Sequence, residues 1–107
     1  MTTKTTVQYK LLLSYDIQAG DADSYDHYLS NVFLPGCQSL GLTLAGAWAT
    51  AYGQCPQYQL ELAADEQVVD DALVSPRWAQ LERAFRAHLN RYGCKRVRAR
   101  GNKVFQF

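Results

Sequence analysis

No spacing in this sequence gathers the ligands a metal ion needs. The only two histidines, His27 and His88, fall in different predicted helices, and neither HxxxH nor ExxH occurs. The three cysteines (Cys37, Cys55, Cys94) form no CxxC pair, and their odd number suits a reducing compartment. Each sits beside glycine or proline and reads as a small residue in a tight place rather than an attacking thiolate. There is no glycine-rich phosphate loop, so nothing in the residues selects a nucleotide or any other cofactor. Eleven basic against ten acidic residues leave a net charge of +1, which argues against a dedicated nucleic-acid or membrane-surface protein. No apolar run approaches the roughly 18 residues of a membrane span, and no apolar leader opens the chain. Low-complexity segments and repeats of solenoid period are also missing. These absences point to a cytoplasmic, soluble domain with no membrane or nucleic-acid partner.

What is present is one domain's worth of alternating order. Residues 7–17, VQYKLLLSYDI, alternate with period two and predict a strand with one apolar and one mixed face. QAGDAD is a turn cluster in which Asp21 or Asp23 caps the following helix. Tyr25, Tyr28, Leu29, Val32 and Phe33 recur at helical spacing. Pro35 and Gly36 break or kink that helix, which ends by Gly41. GLTLAGAWATAYGQCPQYQLEL then reads as two strands around a Gly-Gln-Cys-Pro turn. A short amphipathic piece (Val68, Val69, Ala72, Leu73) leads to Ser75-Pro76, a strong helix start. Trp78, Leu81, Phe85, Leu89 and Tyr92 predict the buried stripe of that helix, closed by Gly93. A last alternating strand carries Val97 and Ala99 on one side and Arg96, Arg98 and Arg100 on the other.

The order strand, helix, strand, strand, helix, strand is the split βαβ, ferredoxin-like pattern. It predicts an α+β domain over residues 7–107, preceded by a frayed tail at 1–6. The four-stranded antiparallel sheet has order 4-1-3-2, with the helices on one face. Assigning the bulky groups to that face puts Tyr9, Leu11, Leu13, Tyr15, Trp48, Tyr52, Tyr58, Leu60, Leu62 and Val97 under the helices. The alanines of the second strand, Leu12, Gln57, Gln59, Glu61 and the arginines then share the uncovered face. Such a face is too apolar to stay fully wet and too small for a core, so a homodimer with the sheets back to back is expected. The arginines would pair there with Asp16 and Glu61.

With these residues in view, the span from Tyr9 to Arg98 resembles the dimeric α/β barrel superfamily. Within it, the chain is similar to NIPSNAP-like proteins. The matching positions are Leu40, Gly41, Gly46, Trp48, Gly53, Pro76 and Trp78, while Gln54 and Pro56 stand where an asparagine is often found after the turn glycine. The resemblance implies a fold and a pocket. Related branches include cofactor-free monooxygenases of quinone-like substrates, haem-degrading enzymes and stress-responsive proteins, so it leaves the chemistry open.

The candidate ligand-binding residues are Tyr15, Trp48, Tyr52, Tyr58, Trp78 and His88. Several tyrosines converging beneath the helices make either a packed aromatic core or a concave pocket for a flat ligand, because each phenol needs a partner. His88 falls roughly 50° from the centre of its helical stripe. It reads either as a half-buried histidine satisfied by a carbonyl or water, or as a general base and the one catalytic candidate. His27 falls roughly 160° from its core direction, beside Asp23 and Asn31, and reads as a surface residue. KRVRARGNK packs five basic residues into nine positions and suits ion pairing or a charge-guarded edge strand better than nucleic acid. The leading expectation is a homodimer that binds a small apolar or aromatic molecule between sheet and helices. An enzyme acting on a quinol-like substrate and a purely structural interaction module are the rival readings.

Overall fold

The computed structural model describes residues 7–49 and 58–99. Its elements are β1 (Gln8–Ile17), α1 (Ala22–Tyr28), a π-helical turn (Leu29–Phe33), α2 (Leu34–Ser39), β2 (Thr43–Ala49), β3 (Tyr58–Asp65), α3 (Glu66–Leu73), α4 (Pro76–Arg86) and β4 (Leu89–Arg98). The sheet order is β2-β3-β1-β4 with every pairing antiparallel, as expected from the ferredoxin-like pattern. Tyr52, Cys55, Gln57 and Arg100 fall outside the described residues, as do the tail at 1–6 and the hairpin turn.

Period-two alternation in β1 and β3 builds the covered face. Leu11, Leu13 and Tyr15 pair with Leu62, Leu60 and Tyr58, and Tyr25, Phe33, Trp78, Leu81 and Phe85 of the helices close over them, all buried. Burial of such side chains contributes roughly 1.5–3 kcal/mol each and is the main force holding the layers together.

The helix over residues 22–39 does not break at Pro35. Proline lacks an N–H, and its ring collides with the carbonyl four residues earlier in a regular α-helix. Widening the preceding turn to π geometry accommodates the proline, and the chain stays helical to Ser39. Gly41, at φ +89°, then ends it in a Schellman motif. The Leu42 amide donates to the Cys37 carbonyl and the Gly41 amide to that of Gln38, both at 2.9 Å. At α4 the Ser75 hydroxyl accepts from the Trp78 amide at 3.1 Å, with Pro76 in the first turn.

Three expectations are corrected. The α4 helix stops at Arg86, not near Gly93. Leu89 and Tyr92 belong to β4, where a bulge opposite Tyr15 places Arg91 at φ +54° and brings both residues to the covered side three positions apart.

The second correction concerns β2. Leu44 pairs with Leu62 but Gly46 pairs with Glu61, so Ala45 is an extra residue. Beyond it the sides exchange. Trp48 lies opposite Gln59 on the open face, while Ala47 and Ala49 lie opposite Leu60 and Tyr58 on the helix side. Ala47 and Ala49 therefore do not line the open face, and Ala51 falls outside the described residues. Trp48 folds over Gly46 instead, where an added Cβ would lie 2.8 Å from the indole.

The third concerns β4. Val97 pairs with Lys10 on the open face, whereas Arg96 and Arg98 pair with Leu11 and Tyr9 on the helix side. Arg96 donates to Asp70 at 2.8 Å and to Glu66 at 3.3 Å and lies 4.2 Å over the Tyr9 ring, tying α3 to the sheet. Asp16 and Glu61 are engaged within the protomer, by Arg91 and Lys10.

Candidate functional site

Of the residues singled out from sequence, Tyr15 and Tyr58 do meet: their rings are 6.0 Å apart and stacked. Tyr25, read from sequence only as part of a core stripe, is their third member, its hydroxyl 2.6 Å from that of Tyr15. Phe85 joins the cluster 5.3 Å from Tyr15 and 4.1 Å from Phe33, and Phe33 leads to Trp78 at 6.0 Å. Trp48 is on the opposite side of the sheet. This cluster is packed, with Tyr15 and Phe85 fully buried. Burial, the Tyr25 hydrogen bond and the neighbouring phenols push the Tyr15 hydroxyl far above its ordinary range. Burial acts first on Tyr25, Tyr28 and Tyr92 as well.

These directions give a stability profile. The folded state keeps its phenol protons where the unfolded chain, with tyrosines near 10, gives them up. The folded state then binds more protons, so stability is fully present below about pH 10 and falls as pH rises past it. An alkaline titration should show the buried tyrosinate absorbance appearing together with loss of circular dichroism. Ionisation of these phenols with the fold intact would contradict that burial.

The open space between helices and sheet lies at the β2 edge. Leu42, Leu62 and Cys37 form a buried floor, and Leu34 and Pro35 form the wall beside the π turn. Leu44, 45% exposed, is the outer lip. Ser30 and Gln38 supply the polar groups, and the groove holds about 300 Å³. It runs between the helix, at residues 30–38, and the start of β2, which the Schellman turn joins. Burial pushes the Cys37 thiol up to about 12 despite Arg77 nearby, so it lines the groove as a neutral group. From sequence, Pro35 and Gly36 break or kink the helix, a reading that did not single out this place.

The open face of the sheet presents Leu12, Val97 and Trp48, the last 53% exposed. Around them are Ser14, Gln59 and Lys95, together with the Lys10–Glu61 ion pair at 3.0 Å.

His88 is not on α4 but in the turn after it. Its Nδ1 is 2.6 Å from Asp21 Oδ2, and its ring is 5.6 Å from that of Tyr28. Asp21 occupies the cap position of α1 without capping, because its carboxylate is committed to the imidazole. His27 is exposed, with Asn31 Nδ2 3.2 Å from its Nδ1. Among the described residues there is no cluster of three or more metal-ligating side chains, and no helix long and apolar enough to cross a membrane.

No family model and no curated protein matches the chain. Solved structures do. A NIPSNAP family protein from Agrobacterium tumefaciens superposes with a TM-score of 0.64 at 12% identity, over 95% of this chain and 94% of that one. A second from the same organism, of unknown function, gives 0.58 at 14% identity, over 91% of each chain. The fold is NIPSNAP-like and ferredoxin-like. A dimeric protein of unknown function with a ferredoxin-like fold from Bacteroides fragilis gives 0.54 at 9% identity, over 86% of this chain and 96% of that one. Two glycines of the NIPSNAP-like pattern have physical reasons here. Gly41 supplies the left-handed residue of the Schellman turn, and Gly46 makes room for the Trp48 ring.

Proposed function

We propose that this protein is a homodimer that binds a small apolar or aromatic molecule between helices and sheet, in the groove at the β2 edge. The observation that carries the reading is the combination of a buried apolar floor, Leu42 and Leu62, with an exposed apolar lip, Leu44. Ser30 and Gln38 sit where they can orient a ligand's polar atom. A volume of about 300 Å³ is at the lower end for ligand pockets, which favours a single ring or a short chain. The tyrosine cluster in which a pocket was expected contributes no residue to the lining of this groove.

Self-association rests on the uncovered sheet face. A sheet with helices on one side leaves Leu12, Val97 and Trp48 half in water, a cost that a second copy removes. The Bacteroides fragilis structure, alike in fold, is dimeric.

The test of the groove is Ser30→Trp, an exposed position at its margin. Freshly purified protein is titrated with anilinonaphthalene sulfonate, and native mass spectrometry reports any co-purified molecule. The variant should keep the wild-type melting temperature and lose probe affinity by at least about tenfold, equivalent to 1.4 kcal/mol. Equal affinity in both proteins would overturn the reading.

A further inference from the structure

The Asp21–His88 pair lies apart from the groove and shares no lining residue with it. A carboxylate only accepts hydrogen bonds, so in the neutral ring the 2.6 Å contact puts the proton on Nδ1 and leaves the Nε2 lone pair available. Among the described residues Nε2 has no hydrogen-bond partner. The ring is also fixed from the side by Tyr28, whose own hydroxyl donates to the Leu81 carbonyl at 3.1 Å. His88 and Tyr28 line a hollow of about 410 Å³ with Asp23, Ser24 and His27 across it. The two turns that form the pair are held together. The Gln18 amide donates to the His88 carbonyl at 2.9 Å, and the Gln18 side chain to that of Leu89 at 3.2 Å. An imidazole oriented by a carboxylate, with its other nitrogen free beside a hollow, is the arrangement of a general base.

We propose that this hollow is a second binding site, in which His88 accepts the proton of a neutral planar molecule carrying a weakly acidic hydroxyl, such as a phenol or enol. Nε2 meets only proton donors in this tautomer, which selects an O–H group. Asp21 and Asp23 at the margin disfavour molecules that arrive as anions. The Tyr28 and imidazole rings favour a flat apolar body. In the step, the ligand's O–H bond breaks and its electron pair stays on oxygen. The proton forms a bond to Nε2, and Asp21 stabilises the resulting imidazolium. The proton returns when the ligand leaves. His88 is thereby the proton-accepting residue of the site and Asp21 a positioning residue.

The probe is para-nitrophenol, whose phenolate absorbs in the visible, titrated with the full-length protein across neutral pH, and the phenolate band is read as the excess over that of free probe at the same pH. Wild type should generate the phenolate band. His88→Gln should abolish it, and Asp21→Asn should weaken binding roughly tenfold, the effect of losing one charge-assisted hydrogen bond. Ser24→Trp, an exposed helix position, should block the hollow and remove the band with an unchanged melting temperature. It decides the matter if His88→Gln fails to fold. The proposal is overturned if wild type gives no band, or if the band survives either His88→Gln or Ser24→Trp. It also falls if Ser30→Trp, in the groove, removes the band. Lower melting temperatures for His88→Gln and Asp21→Asn with an unaltered band would leave the pair only a staple between two turns, which likewise overturns it.

Discussion

Phe85→Ala is expected to destabilise the protein by about 3–5 kcal/mol, the range for removing a fully buried ring. Phe85 is 0% exposed and lies within 6.5 Å of five other rings: Phe33, Tyr15, Tyr25, Tyr28 and Tyr92. Removing it leaves a cavity that rigid neighbours cannot collapse into. It also strips the apolar cover from the hydroxyl pair of Tyr15 and Tyr25, which then sits beside a void. A domain of this size has about 5–15 kcal/mol in total, so the variant is near the limit of folding. Urea unfolding measures the change, with an unaltered slope as the sign that the native state is otherwise intact. Phe85→Leu, which refills most of the space, should lose less. A loss below about 1 kcal/mol for alanine would show that the cluster is not the centre of the core.

The second large effect is on assembly. In the proposed dimer Leu12 occupies the middle of the contact, flanked on neighbouring strands by Glu61 and Lys95. Leu12→Glu sets a second carboxylate beside Glu61, which Lys10 already neutralises, and removes an apolar contact in each copy. Like charges brought together at an interface cost several kcal/mol, so dimerisation should weaken by at least about a hundredfold. Sedimentation equilibrium at micromolar concentration measures it, with wild type as dimer and the variant as monomer. The folded protomer should survive, because the side chain faces away from the helices. A wild-type protein that is monomeric under these conditions removes the proposal.

The fold was legible where one period dominates. Leu11, Leu13 and Tyr15 alternate without interruption, Ser75-Pro76 can only begin a helix, and Gly41 follows a helical stripe where a left-handed residue is needed. Misreadings arose at bulges. In β4 the extra residue at Arg91 puts Leu89 and Tyr92 on one side at a spacing of three, which imitates a helix and extends α4 on paper. In β2 the extra residue is one alanine among three, and small side chains carry no mark of which side they occupy. That single position sent Trp48 to the wrong face. The candidate groove was not legible from sequence. Its residues were hidden because Leu42 and Leu62 look like ordinary core, and the hollow beside them depends on how the helix lies against β2. The Asp21–His88 pair joins residues 67 positions apart, a contact that only the register of β1 against β4 creates.

The extra alanine in β2 also bears on how this surface can change over generations. Deleting Ala45 alone would straighten the edge strand yet leave Trp48 opposite Gln59 and the methyl groups of Ala47 and Ala49 on the helix side. Only a one-residue slip of the segment beyond the bulge would turn the indole toward the helices. Descendants of such a chain can therefore lose the kink without losing the exposed ring.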